Sequence, residues 1–515
     1  MSDRNDFVEA INKGYQFKGE SIRMGTGVLD GQVVPDASIL LPLKTMNRHG
    51  LIAGATGTGK TKTLQMISEG LSDASVPVLL MDIKGDLSGI AASGEASEKI
   101  KERAAQLGIE YKPTAFPVEL LTLSNEKGAR LRATVSEFGP VLLSKILGLN
   151  DTQGGLVAII FKYCDDQKLP LLDLKDFIKV LQYVANEGKV EIEKSYGKIS
   201  STSTGTILRK VVELQQQGAD VFFGEKSFDV DDLMRISNDG RGMISVLRVT
   251  DLQDRPKLFS TFMLQLLAEL YATSPEEGDL DKPKLVIFID EAHLIFQEAS
   301  DALLQQIQTV VKLIRSKGIG IFFCTQNPMD IPAGVLGQLG LKVQHALRAF
   351  TAADRKSIKQ TAENYPETGF YKTEDLITQL GIGEALITML DEKGMPTPLV
   401  HTLLLPPRSR MDILIPSEID NLVQESTLAN KYNQVVDSKS AYEMLTEKLE
   451  VAADQSEADE AKPAAKRMKK EEDIFDNPIL KQAGRTAASI ITRSLLGALG
   501  VSSSSRRRKK STSWF

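Results

Sequence analysis

One eight-residue segment constrains the fold of this 515-residue chain more than any other part. Residues 54–61 read Gly-Ala-Thr-Gly-Thr-Gly-Lys-Thr and fill every required position of the pattern G-x-x-x-x-G-K-[S/T]. A mostly apolar run at residues 49–53 precedes the segment, and a pattern typical of a helix follows it. The glycines let the backbone turn successive N–H groups toward a phosphate, and the helix N-terminus adds positive potential for that anion. The segment therefore predicts a phosphate-binding loop between a strand and a helix.

This loop predicts where a nucleoside triphosphate binds. We expect Lys60 to reach the β- and γ-phosphates, and the hydroxyl group of Thr61 to be a ligand of Mg²⁺. The implied cofactors are therefore ATP and Mg²⁺. The residues that we expect to surround the nucleotide are Gly54, Ala55, Thr56, Gly57, Thr58, Gly59, Lys60, Thr61 and Lys62.

Two acidic residues follow a second apolar run, at residues 285–289. A phosphate loop of this kind needs a carboxylate on a neighbouring strand, and Asp290 is placed at a strand end to hold the Mg²⁺ shell. Glu291 is placed to orient and deprotonate an attacking water molecule. A base for water favours hydrolysis over transfer of the phosphoryl group to a small molecule.

A further strand, at residues 319–326, ends in a polar amide. Beside a γ-phosphate, Gln326 can sense the state of the nucleotide and position water. An NTPase built as a ring also needs an arginine at each subunit junction to neutralise charge. We expect Arg315, on the last turn of the helix before this strand, to be that arginine finger, with Arg348 and Arg355 as alternatives.

Composition and charge exclude only a few functions. The chain has no run of about 18 apolar residues, and its polar N-terminus lacks the apolar core of a secretory signal. We therefore expect a cytoplasmic protein without a transmembrane segment. A net charge of −6 does not favour general binding of nucleic acid, but it permits a local basic surface. The 2 cysteines and 4 histidines are too scattered to form a metal cluster.

The motifs together resemble the HerA/FtsK superfamily of P-loop ATPases, and most of all its HerA-like, YjgR-type bacterial members. The resemblance is carried by residues 41–50, 54–61, 82–86 (Asp-Ile-Lys-Gly-Asp), 289–293 (Ile-Asp-Glu-Ala-His), 325–328 (Thr-Gln-Asn-Pro) and 383–386 (Gly-Glu-Ala-Leu). It implies a RecA-like core in which Asp82 lies near the nucleotide and Arg315 occupies a finger position. It also implies a homo-hexameric ring through which double-stranded DNA passes, and archaeal relatives of this kind act with a nuclease partner.

Buried strands alternate with helical patterns along most of the chain, which indicates an α/β fold with helices on both faces of a mostly parallel sheet. Residues 21–46 are expected to form short strands broken by glycines and a proline. We divide the chain into an N-terminal helix with short β-strands (1–48), a P-loop half of the RecA-like core (49–129), a helical insertion (130–235), a Walker B half of the core (236–405), C-terminal helices (406–450) and a charged, partly disordered tail (451–515).

The tail alternates acidic and basic runs, which are usually solvated and mobile. Its five consecutive cations, Arg506–Lys510, leave three interpretations open: a solubilising end, contact with nucleic acid, or contact with a membrane surface or partner. Residues 487–501 have the pattern of a short amphipathic helix that docks on the body or on a partner.

Three functions remain open on the sequence alone. The first is a ring motor that translocates double-stranded DNA, in the manner of a HerA-like helicase. The second is an ATP-driven motor that acts on protein, and the third is a nucleotide-gated scaffold that recruits a partner. The complete set of Lys60, Thr61, Asp290 and Glu291 weighs against the scaffold.

Overall fold

The structure is a computed structural model that describes residues 2–250, 255–278, 280–296, 301–434 and 436–460. The predicted basic run and the predicted amphipathic segment at 487–501 lie outside the described residues. The predicted α/β class with a large, mostly parallel sheet is confirmed. No helix of the described residues is both long enough and apolar enough to cross a membrane.

Within the described residues, 12 strands form a single sheet. Most of them are short and buried on both faces, as strands of a parallel sheet are. They are β1 (Ser21–Leu29), β2 (Gln32–Pro42), β3 (Gly50–Ala53), β4 (Val78–Asp82), β5 (Val118–Thr122), β6 (Ala129–Arg130), β7 (Ile244–Arg248), β8 (Leu285–Ile289), β9 (Ile319–Thr325), β10 (Leu341–Gln344), β11 (Glu384–Thr388) and β12 (Val400–Leu404).

The helices cover the sheet and connect its parallel strands. In chain order, those of the described residues are α1 (Ser2–Tyr15), α2 (Lys60–Asp73), α3 (Glu98–Gln106), α4 (Val135–Ile146), α5 (Asp151–Gln167), α6 (Leu174–Ala185), α7 (Lys189–Tyr196), α8 (Ser201–Gln216), α9 (Pro256–Thr273), α10 (His293–Phe296), α11 (Asp301–Ile314), α12 (Ala333–Leu336), α13 (Ala352–Glu363), α14 (Thr373–Gln379), α15 (Pro416–Glu425), α16 (Thr427–Tyr432) and α17 (Ala441–Glu460).

The strand order is β2-β1-β12-β11-β10-β3-β9-β8-β4-β7-β5-β6. From β10 to β6 every neighbouring pair is parallel. From β2 to β10 every neighbouring pair is antiparallel. The sheet therefore has a parallel part that contains β3, flanked by an antiparallel part built from the two ends of the described core.

The sheet separates two apolar cores, because successive residues of a strand point to opposite faces. On β4, Leu79 and Met81 belong to the core that α4 to α9 cover, whereas Val78 and Leu80 belong to the core that contains α1 and α2. Burial of one such side chain contributes about 1.5–3 kcal/mol. The two cores hold the strand ends in a fixed array.

Five consecutive helices, α4 to α8, fill the region predicted as a helical insertion. The first three begin with local signals: Thr134, Asn150 and Asp173 each accept a hydrogen bond from the backbone three positions later, and the side chain at that position bonds back. This reciprocal pair satisfies N–H groups that a helix start leaves without partners. The insertion helices thus form because of local sequence and then pack on the sheet.

Several elements differ from the expectations. The expected short strands at 21–46 are instead the long strands β1 and β2, and Gly25 lies inside β1. A Cβ atom at Gly25 would lie 2.1 Å from the carbonyl oxygen of Leu403, so glycine there permits a close approach to β12 rather than breaking the strand. No strand is predicted from the sequence at β6, β7, β10 or β12. The helix α17 continues to Glu460 through a run that we expected to be mobile, since alanine and glutamate favour helix.

Candidate active site

Five neighbouring strands of the parallel part end at one edge of the sheet, in the order β10, β3, β9, β8 and β4. Open α/β sheets bind ligands outside the carboxyl ends of their strands. Each of these ends carries polar residues: His345 after β10, the loop from Gly54 after β3, Gln326 after β9, the pair Asp290 and Glu291 after β8, and Asp82 in β4. Since neighbouring strands are about 4.8 Å apart, the loop and the acidic pair lie about 10 Å apart across β9.

The phosphate loop has the backbone that its glycines predict. Gly57 and Gly59 have φ angles of 77° and 109°, in the region that favours glycine, and α2 begins directly afterwards at Lys60. The Lys60 side chain is buried, and its Nζ donates hydrogen bonds to the carbonyl oxygens of Gly54 (2.6 Å) and Ala55 (3.1 Å). Burial, together with the nearby Lys84, lowers the pKa of Lys60. Its ammonium group therefore lies within the loop that is predicted to surround phosphates.

His345, which follows β10, packs against the phosphate loop and contacts α2. This role was not predicted from the sequence. Its backbone N–H donates to Ala53 O (2.7 Å), and its ring Nε2 lies 2.9 Å from the hydroxyl oxygen of Thr63 on α2. A Cβ atom at Gly54 would lie 2.5 Å from the Cβ atom of His345, so the loop needs glycine at its first position. Burial lowers the pKa of His345 to about 4, which keeps its ring neutral at neutral pH.

Thr61 and Asp290 carry oxygen atoms of the kind that a divalent cation binds. Thr61 is half-buried on the first turn of α2, and Asp290 is buried just after β8. Among the described residues, Asp290 Oδ2 is a buried oxygen with no hydrogen-bond partner. Burial raises the pKa of Asp290 to about 6. A hydroxyl and a carboxylate oxygen are ligands that Mg²⁺ accepts, so these residues fit the predicted ion.

Glu291 is held by side chains from three other positions. Its Oε1 pairs with the ammonium group of Lys84, and its Oε2 lies 3.2 Å from His293 Nδ1 and accepts from Gln326 Nε2 at 3.4 Å. Burial alone would raise the pKa of Glu291, but these partners hold it below its ordinary value. Glu291 also has a φ angle of 45°, which is uncommon for a residue with a side chain. Strain of this kind is concentrated at functional sites.

Asp82 shapes a loop instead of pointing a free carboxylate at the site. Its two oxygens accept hydrogen bonds from the backbone N–H groups of Gly85 (2.7 Å), Asp86 (3.1 Å) and Leu87 (3.1 Å). Burial nevertheless raises the pKa of Asp82 to about 7. The carboxylate thus fixes the loop that carries Lys84.

Arg315 lies at the edge of the sheet opposite the site. It begins a 3-10 helix, Arg315–Lys317, which leads into the start of β9, so the expectation that it lies on the last turn of α11 is wrong. Burial and, more weakly, the charge of Arg315 lower the pKa of His49, the residue before β3, to about 4. Because β9 spans about 20 Å, the exposed Arg315 does not reach the site of its own chain.

The alternative arginines lie nearer to the loop. Arg348 lines a cleft of about 460 Å³ together with Thr56 and Gln326. Phe350, which is 87% exposed, lines the same cleft, and α13, the helix that carries Arg355, forms another wall. Lys62 is in the set of residues that we expect to surround the nucleotide. Its Nζ instead donates hydrogen bonds to Met411 O and to Gln65 Oε1. The structure therefore brings Lys60, Asp290, Glu291 and Gln326 to one edge and leaves Arg315 outside it.

Sequence reasoning missed three supporting residues: Lys84, His293 and His345. Two of them had a signal, because Lys84 lies in the run at 82–86 and His293 in the run at 289–293, both of which carry the resemblance. His345 had none, since its role depends on β10 lying beside β3.

Comparison with known proteins gives a consistent result. A family model described as "Helicase HerA-like C-terminal" matches residues 29–488. The DNA double-strand break repair helicase HerA of Sulfolobus acidocaldarius is 21% identical over 373 residues, which cover 68% of this chain and 64% of that protein. The DNA import protein CedB of the same organism is 24% identical over 365 residues, which cover 68% of this chain and 51% of that protein. The chain thus spans less than two thirds of the length of these relatives.

A solved structure shares the fold. The bacterial conjugative coupling protein TrwBdeltaN70 superposes with a TM-score of 0.51 and 12% identity, over 79% of this chain and 95% of that chain. This likeness shows a common α/β architecture with a large, mostly parallel sheet.

Proposed function

The chain belongs to the helicase HerA-like C-terminal family, and on this premise we propose that it is an ATP-hydrolysing ring motor that moves double-stranded DNA. Membership confirms the resemblance read from the sequence motifs. The single observation that carries the proposal is the placement of the phosphate loop and the acidic pair at one edge of the sheet, with Gln326 just after the strand between them and in contact with Glu291.

Each residue of this edge has a part in hydrolysis that its position supports. Lys60 and the backbone N–H groups of the loop bind and orient the phosphates. Glu291 orients the attacking water and takes its proton, and Gln326 restricts where that water and the carboxylate stand. Thr61 and Asp290 would hold Mg²⁺, which when bound neutralises charge on the phosphate oxygens.

A ring would give the predicted arginine finger, Arg315, a site on which to act. Charge that develops on the γ-phosphoryl group needs a cation, and Arg315 is exposed and too far from its own site. We propose that it serves the site of a neighbouring subunit in a homo-hexamer. Arg348 lines its own cleft and is the alternative.

The polymer is proposed from the relatives. HerA is named as a helicase of double-strand break repair and CedB as a DNA import protein, and each match covers 68% of this chain. A nuclease partner follows by analogy with archaeal HerA-like rings. The net charge of −6 requires that any DNA contact be a local basic surface of the assembled ring.

The deciding experiment measures the rate of ATP hydrolysis by the purified full chain with Mg²⁺, in the presence of duplex DNA, single-stranded DNA or no polymer. We expect hydrolysis that duplex DNA stimulates most. If hydrolysis is intact but neither nucleic acid stimulates it, DNA is excluded as the polymer that is moved, and a motor that acts on protein is favoured. Binding of ATP without hydrolysis under every condition would leave only the nucleotide-gated scaffold.

A further inference from the structure

The ion pair between Lys84 and Glu291 joins two strand ends that the proposed mechanism treats separately. Lys84 follows β4 by two residues, and Glu291 follows β8 by two residues. The two strands are parallel neighbours, with Met81 paired to Ile289, so their following loops run side by side. The Lys84 side chain is 35% exposed and that of Glu291 only 7%, so the lysine reaches from the surface onto a buried carboxylate.

The loop that carries Lys84 is held in place by the chain itself. The three backbone hydrogen bonds to Asp82 fix residues 85–87, and Gly85 has a φ angle of 77° that suits the turn. A lysine side chain loses about 2 kcal/mol of conformational freedom when it is held in one geometry. Because the rigid loop already fixes the backbone of Lys84, less conformational entropy is lost when the ion pair forms.

The contacts of Glu291 divide between its two oxygens. Lys84 pairs with Oε1, while His293 and Gln326 contact Oε2. Lys84 is therefore the sole cation of the described residues that forms an ion pair with Oε1. Its removal leaves the carboxylate held at Oε2 only, so the whole group turns more freely about its terminal torsion, which has broad energy wells. The alternative is that Lys84 contacts a phosphate of the nucleotide. Its charge helps to lower the pKa of Lys60, so it lies close to the predicted phosphate site.

We propose that Lys84 is a positioning residue that holds the Glu291 carboxylate in the orientation needed to activate water. This inference rests on the proposed function, since it concerns the same hydrolytic step. Lys84 contributes to the rate of hydrolysis through Glu291 and not to the affinity for the triphosphate. It is thus distinct from Lys60, which contacts the loop that surrounds the phosphates.

The test separates rate from affinity in the full chain. Lys84→Met removes the cation and keeps the length of the side chain. We expect kcat for ATP to fall about 10- to 100-fold, as when a group that orients a reacting residue is lost, while the dissociation constant of a non-hydrolysable ATP analogue changes by less than about twofold. Lys84→Arg should restore most of kcat, because it restores the cation. Lys84→Gln serves as a second neutral variant and should match Lys84→Met.

The matched control is Lys284→Met. Lys284 is similarly exposed, pairs with Glu277, and lies just before β8, at the opposite edge of the sheet. We expect it to leave kcat and affinity unchanged. A melting curve of each variant compares their stability.

A double-mutant cycle gives the sharpest outcome. If Lys84 acts through Glu291, Lys84→Met should add nothing to the loss in Glu291→Gln. Losses that add in the double variant would overturn the inference. So would an affinity of Lys84→Met for the analogue that is at least tenfold weaker than that of the native chain, or a kcat that stays the same or rises. If the native chain does not hydrolyse ATP, or if Glu291→Gln hydrolyses at the native rate, the proposed function fails first. If the native activity requires Glu291 but not Lys84, only the positioning role of Lys84 is contradicted.

Discussion

The two sides of the site are built by opposite strategies. On the phosphate side, Lys60 is held by carbonyl groups only five and six residues away in the chain. On the hydrolytic side, Glu291 is held by Lys84 and Gln326, which come from loops after two other strands. The lysine of the phosphate side is therefore held within one continuous segment, and His345, from after β10, supports that segment from outside. A water-activating site assembled from three strand ends forms only when the sheet is complete.

This difference suggests that binding and hydrolysis are separable. Backbone N–H groups of a short loop can bind phosphate regardless of small shifts between strands. Glu291, by contrast, depends on the spacing of β4, β8 and β9, so a shift of one strand end changes its contacts. In the proposed motor, ATP would stay bound between steps and be hydrolysed only when the strand ends align. The following changes test that separation.

The largest effect is expected for Arg315, which we propose acts on the site of a neighbouring subunit. Arg315→Ala should lower the rate of ATP hydrolysis by about 10³- to 10⁵-fold, because such a finger neutralises charge in the transition state. Mixing this variant with Lys60→Ala subunits should partly restore activity, since some junctions then pair an intact loop with an intact finger. If mixing restores nothing, the finger is not supplied in trans by Arg315, and Arg348 or Arg355 takes the role.

A smaller effect, confined to the hydrolytic side, is expected for Glu291→Gln. The rate of hydrolysis should fall about 10²- to 10⁴-fold because only water activation is lost. Binding of ATP should persist, so the variant should retain unhydrolysed ATP after gel filtration. Turnover at the native rate would show that another group is the base.

On the phosphate side, Lys60→Ala should weaken ATP binding itself. Loss of one charged contact to phosphate corresponds to about a 10- to 100-fold weaker affinity, with hydrolysis reduced as well. Isothermal titration with a non-hydrolysable analogue measures this directly. An unchanged affinity together with lost hydrolysis would place Lys60 on the hydrolytic side and contradict the division.

The smallest effect is expected far from both sides. The hydroxyl of Tyr15 on α1 donates to Pro398 O (2.8 Å) and Ile387 O (3.1 Å) in the antiparallel part. Tyr15→Phe should lower the free energy of unfolding by about 1 kcal/mol, measured in urea, and leave hydrolysis unchanged. The exposed Tyr442→Phe is the control. A lost activity in Tyr15→Phe at full stability would show that the antiparallel part acts on the site.

The difference between the two sides also explains which site residues could be predicted from the sequence. Asp290, Glu291 and Gln326 come directly after apolar runs, and Lys60 and Thr61 follow such a run through the phosphate loop. Parallel strands bring such positions to one edge whatever their exact order. Their convergence could therefore be expected before the structure was known.

Contacts across strands could not be predicted in the same way. That Lys84 meets Glu291 requires β4 to lie beside β8, and that His345 supports the loop requires β10 to lie beside β3. The strand β7, which lies between β4 and β5, has five residues and no motif to mark it. The 3-10 turn that begins at Arg315 is a detail of the helix end that helical periodicity does not reveal.

The strand order has a consequence for how the protein is made. The strand β3, which carries the phosphate loop, pairs only with β9 and β10, and Ala53 meets Thr325 about 270 residues later in the chain. At about 5–20 residues per second, a ribosome needs roughly ten to fifty seconds to make that interval. Throughout this time the apolar strand before the loop has no partner in the sheet. The nascent chain must therefore keep Leu51 and Ile52 from other chains until the second half of the core emerges.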